Sequence, residues 1–165
     1  MTAEKLKQAV GEIKIRRKDI IDKLVQFAST DSLLFWANND DLVKKQEQLW
    51  SPVLSWANRE FNSQYTATRG LEVPEPDEFS QANLKCFMEN LSDKELAAFY
   101  LASVNMKSEL LAAALVKGHI SAEQAFDAAY LEELWQSEHW GKESASEQKR
   151  QCLKQELRDI EQFLR

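Results

Sequence analysis

His119, His139, Cys86, Cys152 and the adjacent pair Glu132-Glu133 are the residues of this chain whose types would first suggest a chemical site. Glu132, Glu133 and His139 evoke a carboxylate-bundle metal centre, which draws a Glu-x-x-His pair from each of two helices. The residue three before His139 is Gln136, so that spacing fails. His119 follows Gly118 and reads as a residue just past a helix end. His139 falls in a last helical turn, where partial positive charge suits the helix dipole. The cysteines stand alone, without CxxC or metal-like spacing, which fits a reducing compartment. No GxxxxGK[ST], GxGxxG or GxSxG motif is present to cradle phosphate or present a serine nucleophile. The sequence therefore predicts no catalytic residues, no metal and no cofactor.

Without a chemical centre, the composition decides which partners are plausible. Hydrophobic residues make up 44% and charged residues 29% of 165 positions, a globular balance for a chain long enough to bury one core. The net charge of −6 argues against nucleic acid, whose phosphates need clustered Lys and Arg. The basic N-terminal stretch with Lys14, Arg16, Arg17 and Lys18 is interleaved with Glu12, Asp19 and Asp22, and reads as a solvated helix face. No apolar run approaches the roughly 18 residues of a membrane span, and no signal-peptide pattern opens the chain.

The elements that would position a site are helices. Ala3 to Ala28 carries Ile13, Ile20, Leu24 and Phe27 at helical spacing, with Gly11 as a place to divide it. Ser29-Thr30-Asp31 is a stop and turn, and the apolar Ser32 to Trp36 is either a turn of helix or a packed connector. Asn39-Asp40-Asp41 caps a helix that begins near Leu42 and bears Gln46, Leu49, Trp50, Val53, Trp56 and Phe61, expected to run on through a kink at Pro52. Residues 62–76 are the one irregular excursion, with 65–68 as extended chain. A helix then spans Asp77 to Asn90. Ser92-x-x-Glu95 is a capping box opening a long helix to Lys117, where Gly118 supplies the left-handed residue. Ser121-x-x-Gln124 is a second box, so the two long helices fold back as an antiparallel hairpin. The second arm ends at Trp140-Gly141. Ser144 to Glu147 opens a last helix with Leu153, Leu157, Ile160 and Leu164 on one stripe. The expected fold class is all-α: one helical domain over 1–165, a bundle containing a long antiparallel helical hairpin with one short irregular excursion around 62–76.

Several of these segments resemble one family in order and spacing. They are Asp19-Ile20-Ile21 leading to Ser29-Thr30-Asp31; Gln46-Glu47-Gln48-Leu49-Trp50-Ser51-Pro52 with Trp56; Lys107-Ser108, Gly118 and Glu123-Gln124-Ala125; and Leu131-Glu132-Glu133-Leu134-Trp135-Gln136 closed by Trp140-Gly141. Together, over 19–141, they resemble the assembly chaperones that bind the α subunit of the F-type ATP synthase head. The resemblance implies a non-enzymatic chaperone whose partner is that unassembled α subunit, shielding its β-facing surface from aggregation. It also implies a bacterial cytoplasm, or a mitochondrial matrix after loss of a targeting segment. Members usually carry a further β-rich N-terminal domain that nothing here supplies, so the chain is expected to be a fragment or a reduced relative. Two smaller departures are Asn62, where the family usually has a glycine, and a longer helix after Glu143. A generic helical adaptor with a different partner is the competing reading.

The expected partner-binding residues are Glu132, Glu133, Gln136, Trp140, Trp50 and Trp56. Adjacent helical residues point about 100° apart, so only one glutamate of the pair need face a partner while the other pairs within the bundle. Glu133 is the expected contact. Trp140, at a helix end beside a glycine, is the expected aromatic anchor, because tryptophan is enriched among binding hot spots. Trp50 and Trp56 form the alternative surface.

Overall fold

A computed structural model describes residues 2–69, 77–141 and 144–165. Among them run eight α-helices: α1 (Thr2–Phe27), α2 (Asp40–Glu60), α3 (Glu78–Glu89), α4 (Asp93–Met106), α5 (Glu109–Val116), α6 (Ala122–Ala129), α7 (Leu131–Trp140) and α8 (Ser144–Phe163). The all-α expectation holds. The only strand-like feature among the described residues is an isolated parallel bridge from Phe35 to Thr68, which gives the expected extended segment a partner. The rest of the excursion, residues 70–76, lies outside the described residues.

Most helix ends fall where their capping chemistry puts them. Asn39 accepts the N–H groups of Asp41 and Leu42, and both capping boxes, at Ser92 with Glu95 and at Ser121 with Gln124, are complete. At Gly118, φ is +73°; the N–H of His119 donates to Ala114 O at 2.8 Å and that of Gly118 to Leu115 O at 3.1 Å. These two bonds are a Schellman closure, which satisfies carbonyls the end of α5 would otherwise leave open. Asn62 takes φ +49°, the left-handed region that asparagine visits most readily after glycine. Pro52 sits inside an unbroken α2, as expected.

The arms of the predicted hairpin are each in two pieces. The helix expected from Ser92 to Lys117 breaks at Lys107, whose φ is +56°, and restarts at Ser108. The Ser108 hydroxyl accepts from Leu111 N, and the Asp31 carboxylate accepts from Leu110 N at 2.9 Å while also accepting from Leu33 N. Ser32 N in turn donates to Lys107 O. One buried aspartate thus caps a 3₁₀ turn (Ser32–Leu34) and the start of α5 together, offsetting the strained residue between α4 and α5. The second arm breaks at Tyr130, whose hydroxyl donates to the carbonyl and side-chain oxygens of Asn105 on α4.

Beyond its first residue, Glu109, helix α5 is apolar on every side, and Leu110 through Leu115 are all buried, the pattern of a helix at the centre of a core. Helix α4 packs beside it through Leu96, Ala97, Ala98, Phe99 and Ala102, all fully buried. Helices α1 and α8 both pack on α4, while α2 and α6 flank α5. Helix α1 divides at Arg16 (φ −127°, ψ 30°) rather than at Gly11, and this rotates its buried face. The core then receives Leu6, Ala9, Ile13, Ile21 and Leu24, and Phe27 is left exposed. Arg17 is not part of a solvated face. It pairs with Asp93 at 2.8 Å and donates to the carbonyls of Met88, Glu89 and Leu91, closing the end of α3 and tying it to α1 and α4.

Candidate functional site: a groove between α7 and α8

The six expected contact residues separate into two groups. Trp50 belongs to the core: it is 4% exposed, its indole N–H donates to Ala128 O at 2.7 Å, and its ring meets Trp36 edge-on. Its expected role as a contact is corrected accordingly, since a ring enclosed on both faces has no surface to offer. Trp56 is half-buried, stacked on His119 with ring centres 5.0 Å apart, and packed against Phe61. It lies on the α2 side of the molecule, apart from the others.

Glu132 and Glu133 stand in the first turn of α7, not far along a second arm, because the helix restarts after Tyr130. The negative pair there complements the positive end of the helix dipole. The two side chains part as the helical geometry requires. Glu132 turns inward and accepts from Gln46 Nε2 at 3.1 Å; the fully buried Gln46 accepts the N–H of Ala37 on its amide oxygen. Burial raises the Glu132 carboxyl above the usual glutamate range, and the Gln46 hydrogen bond works against that rise.

Glu133 turns outward, together with Gln136 and Trp140, onto a groove of about 970 Å³. Its walls are α7, the start of α8 and the last turn of α4, with Lys5 of α1 at one end. The floor is a bonded network: Tyr130 to Asn105, Asn105 Nδ2 to Leu153 O and Glu156, and Glu156 to Lys5 at 3.2 Å. Desolvation in this floor raises the Tyr130 hydroxyl pKa, helped by the charges of Glu133 and Glu156. Trp140 at the rim is 83% exposed, the most exposed large apolar side chain among the described residues. A ring of that size left in water beside a groove is an uncommon use of apolar area.

Arg150 is the residue of this site that the sequence did not single out. It is buried, donates to Ser137 Oγ at 3.2 Å and lies 3.8 Å from the Glu133 carboxylate. Its signal was available: Arg150 falls on the same helical stripe as Leu153, Leu157, Ile160 and Leu164, and a charge in an apolar stripe needs a partner. Asn105 and Glu156 were also missed; Asn105 is a buried polar residue on an otherwise Ala- and Leu-rich helix. His139 stacks on Trp135 at 4.0 Å, with its Nδ1 against Trp135 O, and serves to close α7. Among the described residues no group of three or more His, Cys, Asp or Glu is placed to hold a metal ion.

The groove thus has a bonded floor, a charged wall and one exposed tryptophan at its rim. A family model described as "ATP12 chaperone protein" matches residues 2–58. The chain is similar to the ATP12 chaperones over this stretch, about a third of its length. It is 22% identical over 157 residues to "Protein atp12, mitochondrial" of Schizosaccharomyces pombe, covering 90% of this chain and 54% of that protein. The chain thus spans about half the length of that curated relative. The fold matches the crystal structure of Atp12 from Paracoccus denitrificans with a TM-score of 0.88 at 24% identity, covering 94% of this chain and 67% of the other. A second solved structure, from Agrobacterium tumefaciens, matches with a TM-score of 0.84 at 23% identity, over 94% of this chain and 59% of that one. The fold is therefore that of the ATP12 chaperones. No helix among the described residues is long and apolar enough to cross a membrane.

Proposed function

We propose that this chain is a client-binding helical unit of an ATP synthase assembly chaperone, that its client is the unassembled α subunit, and that it acts by binding rather than by catalysis. The observation that carries the reading is the match of residues 2–58 to the ATP12 chaperone family model, supported by the fold shared with Atp12 from Paracoccus denitrificans. The α7–α8 groove is where the chemistry of binding is concentrated. Trp140 offers apolar area, Glu133 and Gln136 offer acceptors and donors, and the network through Tyr130, Asn105 and Arg150 holds the walls in place.

The mechanism follows from the client's exposed surface. An α subunit without its β neighbour presents an interface made to be covered, and large uncovered apolar patches aggregate. A chaperone that covers part of that surface stabilises the native-like client by mass action. It must bind less favourably than the finished interface, so that the β subunit displaces it. A groove with a polar floor and a single aromatic anchor suits such moderate affinity. The same reading puts the protein where the α subunit is assembled, a bacterial cytoplasm or a mitochondrial matrix.

The test is co-expression with cognate α and β subunits. The chain is expected to increase soluble α when β is absent and to be released when β is added. A chain that leaves α insoluble while retaining a different protein in a pull-down supports the adaptor reading instead.

A further inference from the structure

Among the described residues, three buried side-chain polar atoms have no hydrogen-bond partner: both carboxylate oxygens of Glu109 and the Ser103 hydroxyl. Ser103 and Glu109 line one cavity, of about 380 Å³, a size at the small end of ligand sites. The cavity lies between the end of α1 and the outer face of α4. Its sides include Phe27, Tyr100 and Val104, and all three leave substantial apolar area in water. Glu109 is only 5% exposed. A buried carboxylate with no donor is costly, since even one unpaired buried polar group costs about 1–3 kcal/mol and an ion costs more. The neighbouring Asp31 shows the contrast, being as buried but accepting from Leu33 N and Leu110 N.

We propose that this cavity receives a cationic side chain, an arginine or lysine presented by a protein partner. Glu109 and Ser103 accept its N–H donors, and Phe27, Tyr100 and Val104 sheath its aliphatic stem. An arginine side chain has this make-up, an apolar stem ending in a fork of donors. Two observations favour a protein as the source. The apolar collar is larger than a bare ammonium requires, and the cavity shares Val104 and Lys107 with the α7–α8 groove, so one bound segment can reach both. That choice of source rests on the client-binding reading; the receptor chemistry does not. Lys23 and Lys107 stand at the mouth and oppose a cation there, but in water their repulsion is screened over about 8 Å at physiological salt. Asp31 and Tyr65 face Glu109 from the other elements, and burial, with the Asp31 charge adding to it, raises the Glu109 pKa to about 9. Binding a cation therefore expels a proton and strengthens as pH rises.

The test uses two blocked tripeptides, acetyl-Leu-Arg-Leu-amide and its neutral citrulline twin, titrated into the isotopically labelled chain and followed by amide NMR shifts. The arginine peptide is expected to shift residues 24–31 and 100–109, to bind at least about tenfold more tightly than the twin, and to gain affinity between pH 6 and pH 9. Glu109→Gln, which removes an unpaired carboxyl and leaves the fold intact, is expected to abolish both the preference and the pH dependence. Ser103→Ala is expected to weaken the preference. Equal binding of the two peptides, no binding of either, shifts confined to other residues, or a preference that survives in Glu109→Gln would overturn the proposal. None of these outcomes depends on whether the client is an ATP synthase subunit.

Discussion

Helix α7 has two sides, and each presents one glutamate with a tryptophan nearby. On the inner side Glu132 meets Gln46, and Trp50 of α2 packs beneath with its N–H on Ala128. On the outer side Glu133 and Trp140 face a groove, with Arg150 as the nearest charge. The residue types are the same, but the accounting of their polar atoms differs. Inside, Gln46, Glu132 and the Trp50 indole each have a hydrogen-bond partner within the protein, so the contacts specify the fold. Outside, the Glu133 carboxylate stands 3.8 Å from Arg150 and the Trp140 indole is left in water, so both are accessible.

The largest effect that separates the two sides is truncation of their tryptophans. Trp50→Ala is expected to destabilise by about 3–5 kcal/mol, because it removes a fully packed ring and leaves Ala128 O unpaired. Trp140→Ala is expected to stay within about 0.5 kcal/mol of wild type. Urea denaturation of both variants checks this, and similar losses at the two positions would remove the distinction.

Buried acids sharpen the comparison, since Glu132 has a donor and Glu109 has none. The Glu109 pKa is about 9 in the folded chain against about 4.5 unfolded. The unfolded chain therefore releases this proton at a pH where the folded chain still holds it. The contribution is neutral below about pH 4.5, turns unfavourable as pH rises, and is fully unfavourable above about pH 9. Glu109→Gln is expected to raise stability by about 2 kcal/mol or more at pH 8, at about 1.4 kcal/mol per unit of separation, and by nothing near pH 4.5. Denaturation midpoints across that range measure it, and parallel curves for the two chains would contradict it. Gln46→Leu is expected to cost about 1–3 kcal/mol, because Glu132 and Ala37 N lose their shared partner. For the same reason Glu132→Lys is expected to destabilise the fold. Charge reversal at Glu133 would set a second cation beside the buried Arg150.

Turn chemistry was the most legible part of the sequence. Capping boxes, Asn39 and Gly118 act through neighbours two to five residues away, and the structure puts caps at all of these places, with Asn39 the acting residue of Asn39-Asp40-Asp41. Gly118→Ala, which meets no atom within 4 Å but must adopt φ +73°, is expected to cost about 1 kcal/mol from conformation alone. The breaks at Lys107 and Tyr130 were hidden because their causes are distant. Asp31 reaches α5 from 79 residues away, and Tyr130 reaches α4. Helical periodicity carries no information about such partners. At the site, the outward Glu133, Gln136 and Trp140 were named from the sequence, whereas the support from Arg150, Asn105 and Glu156 depends on which helices become neighbours.

The central claim is that the outer side of α7 is the client-binding surface, and soluble α subunit measured after co-expression tests it most directly. The double variant Glu133→Gln, Trp140→Ala is compared with wild type and with Ile15→Ala, which removes an equally exposed apolar side chain from α1. The double variant is expected to lose most of the soluble α subunit while its melting temperature stays within a few degrees of wild type, and Ile15→Ala is expected to lose none. Full rescue of the α subunit by the double variant would place the binding surface elsewhere and contradict the account.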